Sequence, residues 1–329
     1  MLTAPVLPTP LSASLAGKRN YQLLLLPDIH IPHSPDILER IVNSPVLKTV
    51  DHVILLGDTV ACYGTDYEYE KLGAFLERSA KPYSVVIGNH EFSFEVHDTK
   101  ETYGRIWRSG SHDLRERQLA KFSSFFGIDR PYWSEQVGPY TYVFFMLPNW
   151  DEKTISKHAV IHEHDALKEL PEGGDAFLRS VVSERSVQGG GVIAFCHIPL
   201  AGSISDDFVY YTPGRDPTLY LEDATMRTIA SSQVPVWWFS GHLHLSPAHP
   251  VAGVRPVAAN LTQIHCPSAR WHTRRSLDDH NAKRYEESYS LMLRVHNGSL
   301  SLAIYDWLSE MFVSDMSRFT IAPADHRSK

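Results

Sequence analysis

The chain has 329 residues, 43% of them hydrophobic and 21% charged, with a net charge of −7 at neutral pH. Such a length buries a substantial core as one large domain or two small ones, and the composition is that of a globular protein. The acidic balance excludes the basic footprint of a general nucleic-acid binder, although bound metal ions can still supply local positive charge for a phosphate.

Residues 1–20 are rich in Pro, Ser, Thr and Ala and read as a loose N-terminal arm without a signal-peptide pattern. A strand is expected over 21–26, a loop over 27–35 and a helix over 36–43. A second strand over 52–56, a helix over 66–79 that tolerates Gly73, and a third strand over 83–87 continue the strand–helix rhythm of an α/β fold. Residues 92–135 are polar, aromatic and mostly helical in pattern, and read as a cap or rim. A strand follows over 140–147, then helical spacing over 163–187 broken at Pro171. Residues 203–220 read as a long loop of the kind that is functional or disordered. Strands over 290–295 and 300–306 flank Asn297-Gly298, a hairpin signal. The expected organisation is the arm, one domain over 21–312 with 92–135 and 203–220 as insertions, and a tail over 313–329. No apolar run is long enough for a membrane span. Cys62, Cys196 and Cys266 show no paired spacing, which suits a reducing, cytoplasmic setting.

Five short apolar runs end abruptly in metal-ligand residue types. Tyr21–Leu26 precedes Asp28 and His30, and Val53–Leu56 precedes Gly57-Asp58. Tyr83–Ile87 precedes Gly88-Asn89-His90-Glu91, Val192–Cys196 precedes His197, and Val236–Phe239 precedes Gly241-His242-Leu243-His244. Runs of this kind are strands buried on both faces, and polar groups just past them gather at one sheet edge, where open α/β folds keep their sites. The three glycines mark sharp turns away from strand ends, where positive φ is often needed. Two divalent ions about 3.5–4 Å apart clamp a phosphate and generate hydroxide at neutral pH, and a carboxylate between them offsets their repulsion. Mixed oxygen and imidazole donors suit Mn²⁺, Fe or Zn²⁺ better than a purely hard Mg²⁺ site.

In this order the motifs resemble the calcineurin-like metallophosphoesterase superfamily, nearest to its cyclic-nucleotide phosphodiesterase-like bacterial branch, over about residues 21–245. The resemblance implies a four-layer α/β/β/α sandwich of two mixed sheets flanked by helices. It implies a binuclear centre with Asp28, His30 and His244 at one ion, Asn89, His197 and His242 at the other, and Asp58 bridging. It implies hydrolysis of small phosphodiesters such as cyclic nucleotides through a metal-activated hydroxide, with His90 as proton donor and Asn89 and His90 near the substrate. Phosphomonoesters and nucleotide pyrophosphates stand as alternatives, as does a metal-stabilised scaffold that turns nothing over. One departure matters. Family members often carry a second Asp, three residues after the bridging one, that orients the histidine after the ligand Asn; here the position is Ala61, and Glu91, Asp66 and Asp98 are candidate replacements.

Other features carry less. Tyr211 and Arg215 in the long loop are candidates for substrate contact, with Arg215 meeting a phosphate. His158, His162 and His164 read as a surface patch rather than an accessory metal site, and Trp237 and Trp238 as strand core. Arg270, Arg274 and Arg275, with Trp271 and His272, form a basic, aromatic cluster. Surface packing is its plainer reading, contact with an anionic substrate or a partner subunit the alternative. The expected partner is a small phosphorylated molecule, not a nucleic-acid polymer or a membrane, and self-association stays open.

Overall fold

A computed structural model describes residues 7–33, 35–61, 64–92, 94–95, 108–109, 112–146, 169–204, 218–249, 251–270, 272–274, 283–285 and 287–321. In chain order the strands are β1 Asn20–Leu26, β2 His52–Leu56, β3 Tyr83–Val86, β4 Phe94–Glu95, β5 Arg108–Ser109, β6 Tyr132–Val137, β7 Tyr140–Phe145 and β8 Gly191–Phe195. They continue as β9 Val236–Ser240, β10 Gly253–Ala258, β11 Leu261–His265, β12 His272–Arg274, β13 Lys283–Tyr285, β14 Tyr289–His296, β15 Ser299–Asp306 and β16 Met311–Phe312. The helices are α1 Leu11–Ser14, α2 Pro35–Asn43, α3 Pro45–Thr49, α4 Asp66–Ser79, α5 His112–Phe126, α6 Gly174–Gln188 and α7 Asp223–Ser232.

Two six-stranded mixed sheets form, ordered β16-β15-β14-β1-β2-β3 and β10-β11-β9-β8-β7-β6. Helices flank them in the expected α/β/β/α arrangement. Strands β1, β2 and β3 run parallel in the first sheet, and β7, β8, β9 and β11 in the second. Every residue of β2, β3, β7, β8 and β9 is buried, because both faces of each are covered. A bond between the buried hydroxyls of Tyr21 and Tyr142, 2.6 Å apart, joins β1 of one sheet to β7 of the other. Trp237 and Trp238 are core residues, as their strand predicts.

Helix α4 begins with a capping box, in which Thr65 accepts from the Glu68 N–H while the Glu68 side chain accepts from the Thr65 N–H. Gly73 is accommodated within it. The β14–β15 turn has φ of 47° at Asn297 and 78° at Gly298, the left-handed pair that a two-residue hairpin requires.

Among the described residues, the mostly helical reading of 92–135 holds for α5 but not for β4, β5 or the end of the segment. Residues 132–137 form an antiparallel edge strand of the second sheet, and Phe122, Phe125 and Phe126 of α5 are buried. Helices α1, α3 and α7 and strands β4, β5, β10, β11, β12, β13 and β16 have no counterpart in the sequence reading. Pro256 and a register shift between Pro256 and Ala258 interrupt β10, which is tolerated because it is an edge strand. Within 203–220, Leu219 and Tyr220 bridge to Leu200 and Glu169; 205–217, and with them Tyr211 and Arg215, lie outside the described residues, as do His158, His162 and His164. Among the described residues no helix is long and apolar enough to cross a membrane.

His52, the first residue of β2, is buried between two hydroxyls, with Nδ1 2.7 Å from Ser14 Oγ and Nε2 2.9 Å from Ser84 Oγ. Burial pushes its pKa down from 6.5 to about 3. The unfolded chain therefore takes up a proton at a pH where the folded chain does not, and stability falls as pH drops through that window. The expected share of this group is about 1.4 kcal/mol per pH unit. Denaturant titrations below pH 6.5 should show that share missing from the slope in His52→Gln; equal slopes would assign the linkage to other groups.

Candidate metal centre

The carboxyl ends of β1, β2, β3, β8 and β9 meet at one edge, and each delivers its motif there. Beyond their strand ends the first two loops continue as a parallel pair. Asp28 N–H donates to Gly57 O (3.1 Å), His30 N–H to Asp58 O (3.0 Å), Ile31 N–H to Thr59 O (2.9 Å) and Ala61 N–H to Ile31 O (2.8 Å). Five ligand candidates sit in the left-handed region, with φ of 54° at Asp28, 47° at His30, 50° at Asp58, 70° at His242 and 50° at His244. Such positions cost about 1–3 kcal/mol each and persist where the surroundings over-determine them. The expectation for the glycines is met at Gly57, with φ 83°, while Gly88 and Gly241 are absent from the positive-φ residues. Those two are needed for close approach instead: a methyl group on Gly88 would overlap the Asp58 carboxylate, and one on Gly241 would overlap Pro27 and Asp28.

Asp28, His30, Asp58 and His244 converge in one cluster and Asp58, His197 and His242 in a second, with ligand atoms within 4.8 Å of one another in each. Asp58 belongs to both. His30 Nε2 and His244 Nε2 stand 3.1 Å apart. The Nδ1 of each faces a main-chain carbonyl, Ala61 O at 3.3 Å and Arg270 O at 3.1 Å. A carbonyl only accepts, so each Nδ1 carries the proton and each Nε2 presents its lone pair in the neutral ring. Two lone pairs facing at that distance repel unless a cation lies between them. His197 donates Nδ1–H to Leu56 O (2.9 Å) and turns Nε2 to Asp58 Oδ2 at 3.3 Å. Asp28 Oδ2 and Asn89 Oδ1 are buried with no hydrogen-bond partner, a costly state that a metal ion would relieve. These residues fit a pair of metal ions.

Burial works to raise the Asp58 carboxyl, but the charges of His197 and His90 overcome it and hold it well below the usual carboxylate range. Burial would lower His197, and the Asp58 carboxylate raises it to about 9. Burial, reinforced by His90 and His244, drives His30 well below its ordinary value. Burial raises the Asp28 carboxyl, against the pull of His244 and His197.

His90 stands at the rim, its ring 4.4 Å from that of His30 and its Nε2 3.7 Å from Asp58 Oδ2. Its N–H donates to Asp58 Oδ1 (2.9 Å). The group that orients it is the main-chain carbonyl of Ala61, which accepts from Nδ1 at 2.6 Å. Glu91 is occupied elsewhere, accepting from the main-chain N–H groups of Asp58, Thr59, Val60 and Gly88. Asp66 is engaged by Lys121 at the exposed start of α4, and Asp98 lies outside the described residues. One carbonyl thus serves both the imidazole of a ligand candidate, His30, and that of His90.

Arg270 corrects the surface reading. It is 7% exposed, its carbonyl holds His244, and its Nη1 donates to His30 O at 3.5 Å. The basic cluster was its only sequence signal.

The profile of the calcineurin-like phosphoesterases matches residues 21–246, which contain every ligand candidate. The chain belongs to this family. Among solved structures, the chain is similar to the purple acid phosphatase PPD1 of yellow lupin (Lupinus luteus) seeds, at 15% identity and a TM-score of 0.54, covering 89% of this chain and 52% of that one. A dimetal phosphatase from Danio rerio gives 14% identity and 0.54, over 88% of this chain and 96% of that one. GAP50, the anchor in the inner membrane complex of Plasmodium, gives 12% and 0.51, over 89% and 87%. The chain spans about half the length of the lupin protein, and at these identities the likeness is one of fold. No curated protein matches the chain. The family and the converging side chains together point to a dimetal site.

Proposed function

We propose that this calcineurin-like phosphoesterase is a metal-dependent phosphoric ester hydrolase with small phosphodiesters as its leading substrates. The observation that carries the hydrolase reading is the facing pair of Nε2 atoms, 3.1 Å apart, beside a carboxylate shared by two clusters. The preference for diesters is supported by the order of the motifs and their likeness to the cyclic-nucleotide branch. When bound, two divalent ions would neutralise charge building on a phosphoryl group and ease deprotonation of water. Asp58 would hold both ions, Asp28, His30 and His244 one of them, and Asn89, His197 and His242 the other. The protein's own proton donor is His90, whose Nδ1 is held by the Ala61 carbonyl and whose Nε2 lies 3.7 Å from Asp58 Oδ2. Phosphomonoesters are the second reading, favoured by the buried Arg270 guanidinium beside His30.

Protein reconstituted with Mn²⁺ should hydrolyse bis-p-nitrophenyl phosphate faster than p-nitrophenyl phosphate. The reverse order would select the monoesterase, and no hydrolysis of either with two metals bound would favour a scaffold; one neighbour of this fold, GAP50, is an anchor in the inner membrane complex of Plasmodium. His90→Ala is expected to keep its metals and to lose on the order of 10²–10⁴-fold in turnover, the usual size of a general-acid contribution. Metal analysis beside kcat decides it, since loss of an ion would put His90 among the ligands.

A further inference from the structure

At the amino-terminal edge of the first sheet, opposite the metal centre, three side chains form a hydrogen-bonded chain. His52 opens β2, Ser84 is the second residue of β3, and Ser14 ends α1. The His52 ring stands between the two serines, with Nδ1 2.7 Å from Ser14 Oγ and Nε2 2.9 Å from Ser84 Oγ. The Ser14 hydroxyl donates to Leu11 O at 3.0 Å, which leaves its oxygen to accept from the His52 Nδ1–H. The neutral ring then turns its Nε2 lone pair to Ser84, whose hydroxyl donates to it. A hydroxyl bonded to an imidazole that a third group orients is the arrangement that activates a nucleophile.

Strand register directs Ser84 to the space between the sheets. Leu23 of β1 pairs with His52, and Ile54 of β2 pairs with Ser84. Paired residues share a face and alternate residues return to it, so Tyr21, Leu23, His52, Ile54 and Ser84 lie on one face. Tyr21 shows which face it is, because its hydroxyl meets that of Tyr142 in the second sheet. Ser84 borders a cavity of about 400 Å³, lined also by Leu7, Phe126, Ile128, and by Trp133 and Glu135 of β6 in that second sheet. The volume suits a small molecule, and the aromatic and aliphatic walls suit a short apolar acyl chain. Burial keeps the His52 ring neutral, so its lone pair is ready to take a proton. Ser14 stabilises the resulting imidazolium less than a carboxylate would, which makes the reaction a slow one.

We propose that Ser84 is a second, metal-independent nucleophile of this protein, which takes the acyl group of small apolar carboxylic esters with His52 as its base. Ser84 Oγ bonds to the ester carbonyl carbon while its proton passes to His52 Nε2. The bond from that carbon to the alcohol oxygen then breaks, and the departing alcohol takes the proton from the ring. The product is an acyl ester of Ser84. The step stands apart from the phosphoester reading above.

The test gives p-nitrophenyl butyrate to metal-loaded, full-length protein and to its Ser84→Ala, His52→Gln and Ser14→Ala variants. Three quantities are read: release of p-nitrophenol, the position of the butyryl group by peptide mass spectrometry, and turnover of the two nitrophenyl phosphoesters. Wild type should release a burst of about one p-nitrophenol per chain, the mark of an accumulating acyl-enzyme, and carry the butyryl group on Ser84. Ser84→Ala should lose the burst and keep its phosphoester turnover. His52→Gln should acylate on the order of 10²-fold more slowly, the lower end of a general-base contribution, with Ser14→Ala between it and wild type. A butyryl group on another residue, or on none, overturns the proposal, and this reading on wild type needs no variant to fold. So does a burst in His52→Gln at a rate within twofold of wild type. Release that persists in Ser84→Ala and stops when the metals are removed assigns the ester to the metal centre and overturns it too. An acylated Ser84 in a protein that hydrolyses neither phosphoester removes the phosphoester reading and leaves this proposal standing.

Discussion

Replacing Asp58 with alanine is expected to abolish turnover and to release at least one metal ion, from the His197/His242 side first. Asp58 is the member common to both clusters, so it is the group that offsets repulsion between the ions. Without it the two half-sites become unequal. One keeps the Asp28 carboxylate with His30 and His244, and the other keeps only neutral donors, His197, His242 and Asn89. A divalent ion held by neutral donors alone has lost its strongest partner, and the electrophilic centre it completes goes with it. Metal assistance is worth several kcal/mol of transition-state charge, so turnover should fall on the order of 10³-fold or more. Metal stoichiometry measured on the same preparation as kcat is the check. Two ions per chain with near-normal turnover would remove Asp58 from the bridging position. Asp58→Asn, which retains an oxygen but not the charge, should fall between alanine and wild type.

Why the candidate ligands were legible while their aiming was not follows from which atoms do each job. Asp28, His30, Asp58, Asn89, His197, His242 and His244 follow apolar runs, and buried parallel strands can send such residues only to one edge. The imidazoles are aimed by the carbonyls of Leu56, Ala61 and Arg270. Every residue type has a carbonyl, so these partners leave no trace in the sequence. Ala61 illustrates this. Its side chain signalled a missing carboxylate, while its main chain supplies the acceptor at 2.6 Å from His90. Arg270 is a different case, because its residue type was visible and its burial was not. The crossing of 266–270 from one sheet to the other decides that, through main-chain bonds to Pro27, just after β1, and to Tyr289 of β14. Strand β6 was hidden for a third reason: as an edge strand next to the helical pattern of α5, its burial alternates only partly and offers no continuous apolar run.

Glu91→Gln is expected to destabilise the fold and to empty the metal centre, although Glu91 is absent from both ligand clusters. One of its oxygens accepts from Thr59 N–H (2.5 Å), Thr59 Oγ–H (2.7 Å) and Val60 N–H (3.2 Å). The other accepts from Asp58 N–H (3.1 Å) and Gly88 N–H (2.7 Å). The second oxygen therefore ties the loop after β2 to the loop after β3, and helps hold Asp58 at its left-handed φ of 50°. A glutamine can offer its carbonyl to one group of donors only, and its NH₂ must then face the N–H groups of the other. Each donor stranded in this way costs about 1–3 kcal/mol, and the loop is released to relax from its strained angle. Burial and the neighbouring Asp58 charge raise the Glu91 carboxyl, while the donors from Thr59 and Gly88 hold it down. All five bonds point inward as donors, so the ionised form is the one this geometry serves, and a neutral isostere should fail. Thermal unfolding and metal content should fall together in Glu91→Gln, with turnover following the metal. If the variant melts and binds metal like wild type, the carboxyl is protonated in the native protein, and the loop of Asp58 is held by its pairing with residues 28–31 alone.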